Sequence, residues 1–480
     1  MKDFRSYLLA SLQVVIFILS LLTDWYFPLT LLFLGVLVIM ILDKLGTGIV
    51  LREMIALHAS FICLAMPALG YTFYIKEGAS LNFGFWIKKM AVSESVYFGF
   101  ALPATIAFTT ALCWPLNRKH KTDHGAILKQ IIERAKLVLE NPAMKKISIS
   151  ILSIGVMMFF ISGFLPQEVQ FLFLLFYFSA FAGLLYVYYL PSFPYRWVIL
   201  SGFTLFIIFN ALRTGMFTIV AYMGITLFSF FFLGSKTSFL KKILLFFVGA
   251  FILIIVQNIK PEYRNETWKN KYTGNKTELF LNLFSEQVSK GSFFSAKAYY
   301  PVYYRTNQGF NISMVMHRIP QIQPYDNGEK LFLSFSSAFV PRVLWPDKPE
   351  AGGKFNMKYY AGVSIKGWST NVGPLGEAYG SFGVKGGIVF MFILGFCIRW
   401  AYGMVFSISR RLPLIILWIP VLFYQITYSA ETDTLQIFNS LIKSAFFIWL
   451  LYKIVPVWFG VQKEKRGFSR RRELPSYGTQ

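Results

Sequence analysis

Runs of about twenty mostly apolar residues recur along this chain, and a helix that crosses a bilayer needs a run of that length. Twelve such segments are read from the sequence, at 7–22, 27–42, 53–75, 95–115, 147–165, 168–190, 196–212, 215–234, 239–257, 384–407, 412–429 and 436–456. Composition agrees with that reading. Hydrophobic residues make up 55% of the 480 and charged residues only 15%, whereas soluble domains carry nearer a quarter charged. The expected fold is an all-α polytopic membrane protein of about twelve spans, with one large external loop between the ninth and tenth.

The net charge of +24 follows from where the lysines and arginines lie. With the N-terminus inside, NRKHK, SRR and the tail KEKRGFSRRR fall on cytoplasmic connections, while TDW, PQE and AETD fall outside. That is the positive-inside pattern, with both termini cytoplasmic. No binding module or aromatic-basic platform accompanies the charge, so nucleic acid is not an expected partner. Cys63, Cys113 and Cys397 all lie in apolar segments, and no disulfide framework is expected. The N-terminal segment has a basic start without a small-residue cleavage site, and reads as a retained first helix.

The chain divides into a first bundle of about nine spans (1–257), a large external loop (258–383), three final spans (384–456) and a basic tail (457–480). Within the first bundle, 121–139 interrupts the spans. Ile127, Leu128, Ile131, Ile132, Ala135 and Val138 recur there at helical spacing, with Lys129, Arg134 and Lys136 between them. This describes an amphipathic cytoplasmic helix lying on the inner leaflet and attracted to anionic lipid. The loop begins polar and includes a short helix at 278–289 capped by Thr277. The aromatic run FFSAKAYYPVYYR that follows suits a lipid–water boundary or sugar stacking. The loop as a whole is expected to fold as a cap on the external mouth.

Charged residues in and beside that loop are the candidates for chemistry. Arg213, Arg318, Arg342 and Lys348 suit phosphate oxygens, because guanidinium groups bind them in a two-pronged way. For Arg213, at the outer end of a span, snorkelling to the interface is the alternative. Glu377, Asp347, Glu431 and Asp433 are carboxylates able to orient or deprotonate a sugar hydroxyl, or to cap loops and form ion pairs. His317 is the sole histidine of the loop and an alternative base. The glycines at 373, 376, 380, 383, 386 and 387 are spaced for a tight approach to the helix that follows. No phosphate-binding loop or dinucleotide fingerprint occurs, so any glycosyl donor would have to be lipid-linked and presented on the outer face.

The stretch LSFSSAFVPRVLWPDKPEAGG, with Trp345 at its centre, is followed by GPLGEAYGSFGVKGG at the start of a span. Over about 333–390 the chain thereby resembles the oligosaccharide repeat-unit polymerases, the Wzy-type O-antigen or capsule polymerases of bacterial envelopes. Elsewhere the likeness is one of topology: spans, a late large loop and an arginine at an external helix end. The resemblance implies a GT-C-like polymerase or ligase architecture in the inner membrane. It implies an undecaprenyl-diphosphate-linked oligosaccharide as substrate, with no metal or other cofactor, and partners such as membrane lipid, a flippase and a chain-length regulator. Carried onto these residues, Arg213, Arg318, Arg342 and Lys348 would hold the diphosphate and His317 or Glu377 would serve as base. Trp345, Asp347, Glu431 and Asp433 would support the acceptor or the loop. An O-antigen ligase, and a flippase for the same lipid-linked sugars, are the competing readings.

Overall fold

The computed structural model describes residues 2–74, 90–116, 124–162, 164, 167–214, 218–270, 272–289, 300, 303–340, 344–345, 352–365 and 370–461. Among them there is no β-strand, and nine helices are long and apolar enough to cross a membrane. The protein is an α-helical polytopic membrane protein. In chain order the helices are α1 (Lys2–Leu22), α2 (Tyr26–Lys44), α3 (Leu51–Tyr74), α4 (Glu94–Cys113), α5 (His124–Leu139), α6 (Pro142–Ser162), α7 (Gln167–Tyr189) and α8 (Arg196–Thr214). There follow α9 (Thr218–Phe231), α10 (Phe239–Arg264), α11 (Lys276–Ser289), α12 (Gly309–Arg318), α13 (Glu329–Phe339), α14 (Gly353–Ala361), α15 (Gly373–Ser409) and α16 (Thr434–Ile454). A broken segment of short 3₁₀ and α turns, Pro413–Glu431, precedes α16.

Each of the twelve apolar runs falls on one of these segments, but the nine candidate spans do not include all twelve. Among the described residues, the apolar part of α8 covers Arg196–Ala211 and α9 covers 14 residues, and these two helices and α10 are the ones of the twelve outside the nine. Many of the helices contribute to one large core, and three spans show how they are set against one another. α3 and α4 run antiparallel: Arg52 Nη1 donates to Leu112 O and Trp114 O at one end, and Tyr71 Oη donates to Val92 O toward the other. α4 and α15 run parallel and close together. Gly387 lies against the Phe100 ring, and a side chain at Gly395 would collide with Phe108 O. Small residues at such crossings let two membrane helices touch backbone to backbone.

Two sequence expectations change here. The apolar stripe of α5 is buried by protein, because Leu128, Ile131, Ile132, Ala135 and Leu139 pack into the core beside Pro413–Trp418. The exposed face carries Lys129 and Arg134 together with one apolar residue, Leu137. The helix near 278 is capped by Asn275 in place of Thr277: Asn275 Oδ1 accepts from the backbone N of Thr277 and of Glu278. A short amide acceptor one turn earlier satisfies two open donors at once.

Part of the segment read as a cap reaches in among the spans. Gln308 N donates to Ile62 O, halfway along α3, so the chain before α12 descends between the spans. α15 also departs from a single straight rod. At Gly383 the backbone takes φ 65°, ψ −158°, a conformation open to glycine. Its first arm, Gly373 to Phe382, therefore folds back on the second, so that a Cβ at Gly387 would sit 3.1 Å from Ala378 O. In a continuous helix those residues would be about 13 Å apart.

Candidate functional site

The hairpin at Gly383 carries the start of α15 down beside the starts of three other helices. Gly309, Gly353, Gly373 and Thr434, the first residues of α12, α14, α15 and α16, border one buried polar cluster. Its members are Gln308, Asn311, Asn356, Asn371, Glu377, Asp433 and Thr434, each under a tenth exposed. The close approach depends on absent side chains: a Cβ at Gly353 would strike Thr370 O, and one at Gly373 would lie 2.6 Å from Ala430 O.

Two carboxylates sit at the centre. Glu377 Oε1 accepts from Asn356 Nδ2 at 2.7 Å, and Oε2 accepts from Thr434 N at 2.8 Å and Thr434 Oγ1 at 2.5 Å. Asp433 caps α16, with Oδ1 accepting from Gln436 N at 2.6 Å. Its Oδ2 accepts from Gly352 N at 2.8 Å and Asn371 Nδ2 at 3.0 Å. Asn371 joins the two, because its Oδ1 accepts from Asn356 Nδ2 at 3.3 Å. Beyond it, Gln308 Nε2 and Asn311 Nδ2 donate to Asn371 O at 2.7 and 2.8 Å.

None of the ion pairs among the described residues involves Glu377 or Asp433. Neutral donors and the positive ends of helix dipoles supply the compensation. Burial nevertheless holds the Asp433 carboxyl above the usual carboxylate range, against the lowering effect of its bonds from Gln436, Asn371 and Gly352. An outer tier closes the cluster toward the Gly383 turn. Tyr360 Oη donates to Asp326 Oδ2 at 3.0 Å and lies 3.2 Å from Ser381 Oγ, while the Tyr325 ring covers Gly383. Chemically this is a buried polar cluster with two oriented carboxylates and a fan of amides. It is suited to taking a proton and holding hydroxyl groups.

Of the residues marked in the sequence, Glu377 and Asp433 are brought together. Glu431 is directed elsewhere, its Oε1 3.1 Å from His58 Nε2 on α3. His317 is exposed near the far end of α12, about 9 Å along the axis from Asn311. Arg318, beside it, is half-buried, with Nε 3.4 Å from Gln323 Oε1 and its guanidinium packed over Gly362. Trp345 is half-buried. Arg213 belongs to α8, but its side chain lies outside the described residues, as do Arg342, Asp347 and Lys348 altogether. No group of three or more potential metal ligands occurs among the described residues. The amides Gln308, Asn311, Asn356 and Asn371 were missed by sequence reasoning. Asparagines in a polar loop give no periodic signal, although Asn371 stands two residues before the GPLGE run.

Fold and site together define a polytopic helical membrane protein with a buried, amide-lined carboxylate pair. The family model described as a domain of unknown function (DUF8712) matches residues 121–405, more than half of the chain, and the protein belongs to that family. The match includes Glu377 and ends before Asp433. No curated protein and no solved structure matches the chain.

Proposed function

We propose that this protein is a repeat-unit polymerase. It would join undecaprenyl-diphosphate-linked oligosaccharides into a surface polysaccharide by metal-independent glycosyl transfer at the outer face of the bacterial inner membrane. The observation that carries the reading is Glu377. It lies in the GPLGEAYG run that resembles the polymerases, and it is buried with both oxygens fixed by Asn356 and Thr434.

In this reading a hydroxyl of the incoming unit attacks the anomeric carbon of the growing chain and passes its proton to Glu377. The bond from that carbon to the diphosphate breaks, and the electron pair leaves with the lipid diphosphate. Arg318, with Arg342, Lys348 and Arg213, would stabilise the departing charge, which is where preorganised cations contribute most. Asn311, Asn356 and Asn371 would orient sugar hydroxyls, and Asp433 would hold α16 and Asn371 in place. Glu377 is preferred to His317 as base because His317 is exposed and remote from the buried cluster.

The test is a clean deletion in the native host, complemented with wild type or Glu377→Gln, with surface glycans separated by size. A single repeat unit on its anchor in the deletion and the Gln strain, and a ladder with wild type, supports polymerisation. Polymer accumulating on the lipid carrier with no attached glycan would instead mean a ligase. Lipid-linked units trapped inside would mean a flippase.

A further inference from the structure

At the end of the bundle remote from Gly383, α5, the end of α4 and the last turns of α15 enclose a groove of about 320 Å³. Its walls include Leu116, Ile127, Phe396 and Trp400, and its mouth carries Arg399 and Arg410. Among the described residues no carboxylate lines it. Arg399 is fixed in place: Nε donates to Trp114 O at 2.9 Å and Nη2 to Pro115 O at 2.7 Å. Arg134 Nη1 reaches Arg410 O at 3.4 Å, which brings the basic face of α5 to the same mouth. The acid nearest on α5, Glu133, is paired with Lys136 at 2.9 Å.

The apolar wall continues out of the groove. Phe392, Phe396, Trp400 and Met404 recur every fourth residue on one face of α15 and are 42–60% exposed. That stripe passes beside Arg399 and ends short of Arg410. Two arginines spread over the last turns of a membrane helix, beside a lipid-facing apolar track that includes a tryptophan, match one chemistry. The ligand is an anion with acyl chains attached.

We propose that this groove is a binding site for an anionic phospholipid. The headgroup phosphate lies between Arg399 and Arg410, and an acyl chain lies along Phe396, Trp400 and Met404. The inference is independent of the proposed polymerase activity. A lipid seated there would brace α5 against α15, because both helices contribute to the mouth.

The experiment uses the full-length protein in detergent, titrated with phosphatidylglycerol and read by native mass spectrometry. Each charge near a headgroup contributes about 1 kcal/mol, so reversal in Arg410→Glu is expected to weaken binding about thirtyfold. Arg410 is exposed, so that variant retains its packing. Lys453→Glu, an exposed charge in the last turn of α16, serves as the control and should change binding less than Arg410→Glu. Equal loss in both variants would mean diffuse surface attraction and would overturn the site. Equal binding of phosphatidylcholine would overturn it too, as would full competition by millimolar inorganic phosphate.

Discussion

Two buried charge clusters occupy different levels of this bundle and are solved in opposite ways. In one, Glu53 lies 2.9 Å from Lys44 and 3.7 Å from Arg52, and Arg52 in turn is bonded to carbonyls at the end of α4 and covered by the Tyr402 ring. Positive and negative groups meet, and the cluster joins α2, α3 and α4. In the other, Glu377 and Asp433 receive only amide, hydroxyl and backbone donors among the described residues. A neutralised cluster has its charges committed to one another. A pair of carboxylates held by neutral donors has no counter-charge among the described residues. The first arrangement is a balanced ion-pair cluster; the second is where, under the proposed function, the base would sit.

That distinction is open to substitution at four places. Glu377→Gln preserves shape and should lower polymer formation about 10²–10⁴-fold at normal protein levels, the range for removing a general base. A full ladder from that variant would break the comparison. Glu53→Ala should do the reverse. It strands Lys44 and Arg52 and should cost about 3–5 kcal/mol of stability, seen as lost membrane-inserted protein with activity per molecule retained.

Asp433→Ala removes the cap of α16 and leaves Gly352 N and the Asn371 amide without their acceptor, a loss of about 1–3 kcal/mol in thermal melts. Asp433→Asn sharpens the point by removing only the titration. With the folded carboxyl held above its unfolded value of about 3.9, the native state keeps a proton that the unfolded chain releases. Stability from this group is therefore greatest at low pH and declines as pH rises through the folded value. The Asn variant should show a flatter decline. Smallest of all, His317→Ala on the exposed end of α12 should leave stability within about 0.5 kcal/mol and the glycan ladder unchanged. A collapsed ladder would move the base from Glu377 to His317.

Much of the frame was legible because membrane spans announce themselves by length and composition. α1 to α4, α6, α7, α15 and α16 all lie on apolar runs read from the sequence. The amphipathic spacing in 124–139 was equally plain, yet periodicity cannot say whether a stripe meets lipid or protein, and here it meets Pro413–Trp418. Glu377 and Asp433 were visible as charges at the edges of apolar runs. Their juxtaposition was not, since it depends on Gly383 reversing the chain inside what reads as one helix start. The glycine cluster signalled a close approach, and the structure shows that the approach is of α15 to itself, to α4, to Tyr360 of α14, to Tyr325 and to Ala430. The four amides carry no pattern at all and became visible only through their partners.

The reversal at Gly383 also bears on how the molecule is made. The donors to Glu377 come from Asn356, synthesised earlier, and Thr434, synthesised 57 residues later. When the first arm of α15 leaves the ribosome, α16 does not yet exist. Asn356 is already available to one carboxylate oxygen, but the other must wait for the donors of Thr434 until α16 arrives and the arm can settle beside it. α16 thus completes the cluster, and chains that stop before Asp433 would carry most of the described spans but lack the Asp433 and Thr434 contacts that finish it.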